Sequence, residues 1–130
     1  MSGIDEDPVP NGALTLQSLT LPADTNQHGD IFGGWLMSKM DLAGSILAQE
    51  IATGRVTTVA VGSMVFLRPV AVGTVVSCYA QPVEVGRSSI RVLVEVWLKE
   101  PQAESPQKVT ESEFVYVAID DHGRTRPVTK

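Results

Sequence analysis

The stretch Gly33–Ala52, with the sequence GGWLMSKMDLAGSILAQEIA, decides how this chain folds. It is mostly apolar, and its only charged residues are Lys39, Asp41 and Glu50, so it predicts one long helix. At about 100° per residue, Lys39 and Glu50 project to within roughly 20° of each other, whereas Asp41 points about 180° away from Glu50. Asp41 is therefore predicted to face the side that a globular protein buries. A buried carboxylate is unfavourable without a partner, so Asp41 either caps a buried donor or has a chemical role.

The segments around this helix read as strands. Alternating or β-branched patterns predict strands over residues 13–21, 55–66, 73–85, 90–99 and 109–119. Residues 22–30 form a polar loop, Gly54 is placed to stop the helix at its C′ position, and Pro82 suggests an edge or a bulge. Short turns between successive strands favour antiparallel pairing. The sequence therefore predicts an α+β fold in which a curved antiparallel sheet wraps one long helix.

Length and composition limit the classes of protein that the chain can belong to. The 130 residues suffice for one domain, predicted at 14–121, between a flexible N-terminal tail at 1–13 and a C-terminal tail at 122–130. The formal net charge of -5 argues against nucleic acid or an anionic membrane as the main partner. No segment reaches about 18 consecutive apolar residues, so a cytoplasmic location is the expectation. The single cysteine, Cys78, lies in an apolar run and is read as a small buried hydrophobe.

The sequence lacks the motifs that several common catalytic and binding mechanisms require. There is no G-x-S-x-G elbow for a serine hydrolase, and both histidines, His28 and His122, fall in predicted loops. Isolated acids and one nearby histidine do not make a metal site, so no metal is expected. Neither a G-x-G-x-x-G fingerprint nor a P-loop occurs.

The pair Gly33-Gly34 at the helix start has a chemical reading. The first turn of a helix has free N–H groups and a positive dipole end, and glycine lets a ligand oxygen approach that backbone closely. Such a site suits a carbonyl that becomes an oxyanion. Asp41 lies farther along the helix by roughly 12 Å, which one reacting carbonyl with contacts of about 3 Å cannot span. Either the two features are unrelated, or a second chain supplies one of them.

Several stretches together carry a specific resemblance. They are DTNQHGDIFGGWLM at 24–37, followed by Met40-Asp41, then FLRPV at 66–70, GTVV at 73–76 and EVW at 95–97. With these stretches, the chain resembles the hotdog-fold acyl-CoA thioesterases, most closely the YciA-like family, over about residues 14–121. The resemblance implies a helix wrapped by a five- or six-stranded sheet. It also implies a homodimer whose sheets join edge to edge, often assembled as a trimer of dimers.

The resemblance also implies roles for individual residues. In the family, an Asn before the helix and an acid within it act together from opposite subunits, and the matching positions here are Asn26 and Asp41. Many relatives have His-Gly-Gly at the helix start, whereas this chain has Phe32-Gly33-Gly34, so the role of that histidine is absent here. The implied reaction is thioester hydrolysis, with Asp41 either activating a water or attacking the carbonyl itself.

The remaining roles concern the oxyanion and coenzyme A. Asn26 would orient the water or donate to the carbonyl oxygen, and the backbone N–H of Gly34, with Gly33, would hold the oxyanion. No cofactor is expected, because coenzyme A is itself part of the substrate and product. Its phosphates need cationic or N–H contacts, for which the turn Gly86-Arg87-Ser88-Ser89 is the first candidate and Arg68 a weaker one. An ordinary hairpin at that turn remains an equal reading.

Other functions stay open at this stage. A non-catalytic acyl-CoA-binding hotdog protein would lack the acid, so Asp41 argues against it. A hotdog dehydratase would need a catalytic histidine paired with an acid, but neither histidine lies on the predicted helix or on a predicted strand. A structural assembly protein would leave Asp41 without an explanation.

Overall fold

The computed structural model describes residues 9–99 and 103–129, so most of the predicted N-terminal tail lies outside the described residues. The elements, in chain order, are β1 (Ala13–Leu19), a 3₁₀ turn (Pro22–Asp24), α1 (Gly33–Ala52), β2 (Val56–Val61), β3 (Val75–Val85), β4 (Ser89–Lys99) and β5 (Gln107–Ala118). The helix has the bounds that the sequence predicts. Each strand lies at its predicted place, although the ends differ.

The five strands form one sheet in the order β1-β3-β4-β5-β2, and every pairing is antiparallel. Helix α1 packs against all five strands. Its buried residues recur along one side and meet the alternating side chains of β4 and β5, which are fully buried. The helix side of this core consists of Leu36, Met40, Ala43, Gly44, Ala48 and Ala52. The α+β prediction of one helix against an antiparallel sheet is therefore confirmed.

Strand β2 is shorter than the sequence predicts. The predicted segment reaches residue 66, but the strand ends at Val61. Beyond this point the Ser112 hydroxyl lies 2.9 Å from the carbonyl oxygen of Gly62 and 3.2 Å from that of Ser63. A side chain thus takes over acceptors that a backbone ladder would otherwise use. In β3, the register shifts between Pro82 and Glu84, as expected for a proline in a strand.

The end of the helix corrects one detail of the prediction. The helix does stop at Ala52, but the left-handed residue is Thr53, with φ 48° and ψ 47°, and not Gly54. The glycine has a different use: a Cβ on Gly54 would lie 2.6 Å from a guanidinium nitrogen of Arg126. The absent side chain therefore leaves room for Arg126 at the helix C-terminus.

The C-terminal segment, predicted as a tail from residue 122, packs on the fold. Arg126 Nη2 donates to the carbonyl oxygen of Ala52 at 2.9 Å, and its Nε donates to Ile119 at 3.1 Å. Val128 is 4% exposed, belongs to the core, and donates its N–H to the carbonyl oxygen of Arg87. A guanidinium on the last carbonyls also complements the helix dipole.

Replacing Arg126 with alanine is expected to lower the free energy of unfolding by about 1.5–3 kcal/mol, because charged hydrogen bonds to half-buried carbonyls are lost. Urea denaturation of the purified protein measures this change. Arg124→Ala is the matched control, because the exposed Arg124 side chain forms no hydrogen bond with residues 9–99 or 103–129. Equal stability of the two variants would show that Arg126 does not cap the helix.

Candidate active site

Asp41 is half-buried and lies at the border between the core side of α1 and an uncovered apolar strip. Its Oδ1 accepts a hydrogen bond of 2.6 Å from the hydroxyl of Thr58 on β2. Asp41 thus points toward the sheet, at the border of the side that the sequence predicts to be buried and not within it. A single short bond to a hydroxyl fixes the carboxylate while a part of it stays accessible.

Tyr116 on β5 holds the same residue by its main chain. Its hydroxyl donates to the carbonyl oxygen of Asp41 at 2.8 Å, and its side chain is fully buried. Burial, and after it the negative charge of the nearby Asp41 carboxylate, raises the pKa of the Tyr116 hydroxyl far above its usual range. The hydroxyl therefore stays protonated and acts as a donor at neutral pH.

Thr58 and Tyr116 are direct partners in the β2–β5 ladder, just before a register shift between Thr58 and Ala60. One cross-strand pair thus holds both the side chain and the main chain of Asp41. The sequence reasoning missed both residues, because a threonine and a tyrosine in strands carry no signal of their own. The available sequence signal was Gly44, three residues after Asp41, because a glycine inside a helix can mark a place where another group approaches the helix backbone closely.

The start of α1 is open toward solvent. Phe32 occupies the N-cap position and forms no side-chain capping bond, and the first turn contains no acidic residue. Among the residues that the structure describes, nothing accepts a hydrogen bond from the N–H groups of Gly33 or Gly34. Free N–H groups at the positive end of a helix make an anion-binding point.

The two glycines differ in their surroundings. A Cβ on Gly33 would make ordinary contacts of 3.5 Å with the ring of Phe66, whereas a Cβ on Gly34 would meet none of the described residues within 4 Å. Gly34 also has no positive φ. The described part of the chain therefore does not require glycine at position 34.

Asn26 organises the loop that leads into this helix start. Its Oδ1 accepts the backbone N–H groups of His28 at 2.8 Å and of Asp30 at 3.2 Å, and its own N–H donates to the Asp30 carbonyl. With Oδ1 engaged, the Nδ2 amide group is the end that can serve a ligand. Within residues 9–99 and 103–129, Nδ2 has no hydrogen-bond partner.

The structure brings some of the predicted site residues together and separates others. Hydrogen bonds from Phe32 to Asp24 and from Ile31 to Val70 hold the Asn26 loop beside Gly33 and Gly34. Asp41 lies about 10 Å farther along the helix, since each residue adds about 1.5 Å. One chain therefore does not place Asp41 next to its own helix start.

The predicted phosphate contacts fall at two ends of the fold. Arg68 lies on the side of the helix start, two residues before Val70, and its buried Nε has no partner among the described residues. The turn Gly86–Ser89 lies at the opposite end, where the carbonyl oxygens of Arg87 and Ser88 accept bonds from residues near the C-terminus. The chain therefore does not bring this turn together with Asn26, Gly33 and Gly34.

Other chemistries find no support in the described part of the chain. No group of three or more His, Cys, Asp or Glu side chains there could hold a metal ion. Cys78 is fully buried, and burial raises the pKa of its thiol to about 12, so it is no nucleophile at neutral pH. His28 and His122 are exposed in loops. Over the same residues, no helix has the length and apolar character needed to cross a bilayer.

An apolar surface runs beside Asp41. Leu42 and Ile46 on α1 are 52% and 38% exposed, and Val59 and Val61 on β2 are 55% and 42% exposed. Within residues 9–99 and 103–129, strand β2 pairs with β5 alone and so lies at an edge of the sheet. An exposed edge with an adjoining apolar face is typical of a surface that another chain covers.

Known proteins share this architecture and sequence. A family model described as the thioesterase superfamily matches residues 28–105. The acyl-CoA thioester hydrolase YciA of Salmonella typhimurium is 56% identical over 125 residues, which cover 94% of each chain. A hexameric broad-specificity acyl-coenzyme A thioesterase of known structure superposes with a TM-score of 0.88 at 52% identity, covering 94% of this chain and 84% of that one. A hexameric hotdog-fold thioesterase of Campylobacter jejuni has a TM-score of 0.85 at 38% identity, covering 91% of both.

These similarities define the class of protein: the fold is the hotdog fold of thioesterases. The chain belongs to the thioesterase superfamily, and within it to the acyl-CoA thioester hydrolases of the YciA type. The resemblance drawn from the residues is thereby confirmed.

Proposed function

We propose that this enzyme hydrolyses acyl-CoA thioesters to a carboxylic acid and free coenzyme A, at sites shared between two chains. The proposal of a shared site rests on one observation: within one chain, the open helix start and Asp41 lie apart. Asp41 lies about 10 Å from Gly34 along the helix, beyond the reach of one reacting carbonyl. The apolar surface next to Asp41 offers a place for a second chain.

The first group of the proposed site binds the thioester carbonyl. The N–H of Gly34, assisted by Gly33, donates to the carbonyl oxygen as negative charge develops there. Glycine at position 34 finds its reason here, because the chain itself leaves space for a side chain at that position. The free Nδ2 of Asn26 donates to the same oxygen or to the attacking water.

Asp41 of the other chain supplies the reacting carboxylate. As a general base, it takes a proton from water while the water oxygen bonds to the carbonyl carbon, and the tetrahedral intermediate then expels the coenzyme A thiolate. The thiolate gains a proton to give the free thiol. As a nucleophile, an Asp41 oxygen instead bonds to the carbonyl carbon and the C–S bond breaks, which releases the coenzyme A thiolate. Water then hydrolyses the mixed anhydride to the carboxylic acid and the free Asp41 carboxylate. Thr58 fixes Oδ1 in both routes.

For assembly, we infer a homodimer joined along the β2 edges and arranged as a trimer of dimers. The exposed edge strand and the apolar residues of α1 and β2 support the dimer. The two solved relatives are hexameric, which agrees with three such dimers. In this assembly the turn Gly86–Ser89 and Arg68 remain the candidates for contacts with the coenzyme A phosphates.

The function is tested by a thiol-release assay with the purified protein across acyl-CoAs of several chain lengths. We expect free thiol and carboxylic acid in equal amounts. The alternative, a non-catalytic acyl-CoA-binding hotdog protein, would bind the same compounds in calorimetry without releasing thiol. Binding without release would therefore overturn the proposed function in favour of the alternative.

A further inference from the structure

Two strands at different positions in the sheet provide the residues that bind Asp41. Thr58, which contacts the carboxylate, lies on β2, an edge strand with one neighbour. Tyr116, which contacts the carbonyl, lies on β5, between β4 and β2. Strand β5 is bonded on both sides within one chain, whereas β2 gains a second neighbour only in the proposed dimer, so the support of Tyr116 does not depend on assembly.

The Tyr116 side chain is itself fixed. Its ring is fully buried and stacks on Phe114 with centroids 6.4 Å apart and 15° between the planes. The hydroxyl must find an acceptor in this buried place, and it uses the second lone pair of a helix carbonyl, that of Asp41. The contact therefore joins an inner strand of the sheet to the turn of α1 that carries the carboxylate.

Gly44 makes this contact possible. A Cβ at Gly44 would lie 2.3 Å from the hydroxyl oxygen of Tyr116 and 3.0 Å from the ring carbon that bears it. No real side chain tolerates the first of these distances. A glycine in the middle of a helix is unfavourable by roughly 0.5–1 kcal/mol relative to alanine, so this position needs a reason, and the approach of Tyr116 provides it.

We propose that Tyr116 is a positioning residue for Asp41, acting through the helix backbone, and that Gly44 is the residue that admits it. The proposal rests on the proposed role of Asp41 in the reaction. A reacting group must be held within about 0.5 Å of its working position, and a misplacement of about 1 Å can lower the rate about 100-fold. Tyr116 fixes the main chain at Asp41, and Thr58 then orients the carboxylate.

The test compares two hydroxyls that both donate to helix carbonyls. Tyr116→Phe removes the bond to Asp41 and keeps the ring. Thr15→Val removes the hydroxyl that donates to the Ala43 carbonyl at 2.9 Å, two residues farther along the helix. We expect kcat to fall about tenfold in Tyr116→Phe with KM within about twofold, while Thr15→Val keeps kcat within about twofold.

Unchanged kcat in Tyr116→Phe, or equal losses of kcat in both variants, would overturn the proposal. Gly44→Ala provides a second variant that displaces the hydroxyl without removing it, and a loss of kcat at unchanged KM is expected there too. Thermal melting shows whether each variant is folded. The Asp41→Asn variant separates the two levels: if it stays active, the proposed function fails, whereas a dead Asp41→Asn with a fully active Tyr116→Phe rejects only the positioning role.

Discussion

Asp41→Asn is expected to lower kcat for acyl-CoA hydrolysis by about 10²–10⁴-fold, because the amide can neither take a proton from water nor attack the thioester. The amide has nearly the same shape, and its Oδ1 still accepts the Thr58 hydroxyl, so the fold should persist. Thiol release measures kcat, and calorimetry with coenzyme A checks that the ligand still binds. A variant that retained nearly full kcat would remove Asp41 from the mechanism.

Glu50→Gln is the matched control for this substitution. It makes the same change from carboxylate to amide on the same helix, but Glu50 is exposed and forms no ion pair with the described residues. We expect its kcat to equal that of the unaltered enzyme. A similar loss in both variants would point to the charge of the helix and not to the chemistry of Asp41.

Mixing inactive Asn26→Ala chains with inactive Asp41→Asn chains is expected to restore activity. In a random one-to-one mixture, half of the dimers are hybrids, and each hybrid contains one site with both native residues. Activity should therefore reach about a quarter of the unaltered enzyme, given sites shared across a two-fold interface. Thiol release after denaturation and refolding of the mixture measures this recovery.

A second mixture of chains tests the shared site independently. Chains carrying both substitutions, mixed one-to-one with unaltered chains, give hybrids without a complete site. A shared site then predicts about a quarter of full activity, whereas a site within one chain predicts about half. Native mass spectrometry confirms that subunits have exchanged. Absence of recovery in the first mixture, with exchange confirmed, would show that Asn26 and Asp41 do not share a site.

The sequence predicts the fold well because its signals are local and strong. The helix reads from its apolar pattern between Gly33 and Ala52, and the alternation of β4 places Ile90 and Leu98 on the same buried face. The strand ends are less predictable. Strand β2 ends at Val61, and the carbonyl of the next residue accepts the hydroxyl of Ser112, which lies 50 residues away in the chain.

The ends of the helix and of the chain show the same limit. Gly54 is a reasonable stop signal, yet the left-handed conformation falls on Thr53, while Gly54 makes room for Arg126. That contact joins residues 72 positions apart, and no local rule signals it. For the same reason, the burial of Val128 could not be foreseen from the polar residues around it.

The residues of the candidate site are also only partly predictable from the sequence. Periodicity alone points to Asp41, and the helix start points to Gly33 and Gly34, because each signal lies within one element. The sequence does not reveal the roles of Thr58 and Tyr116, since their contacts with Asp41 arise only when β2 pairs with β5 and the helix crosses both. Their identities follow from the tertiary fold and not from spacing along the chain.

The distance between the open helix start and Asp41 has a consequence for the newly made protein. With the shared site proposed above, a solitary chain contains every group that the reaction needs but cannot bring them to one substrate molecule. The rate per copy is then expected to rise with protein concentration, because hydrolysis requires two associated copies. Dilution below the dissociation constant of the dimer is expected to abolish activity without any inhibitor.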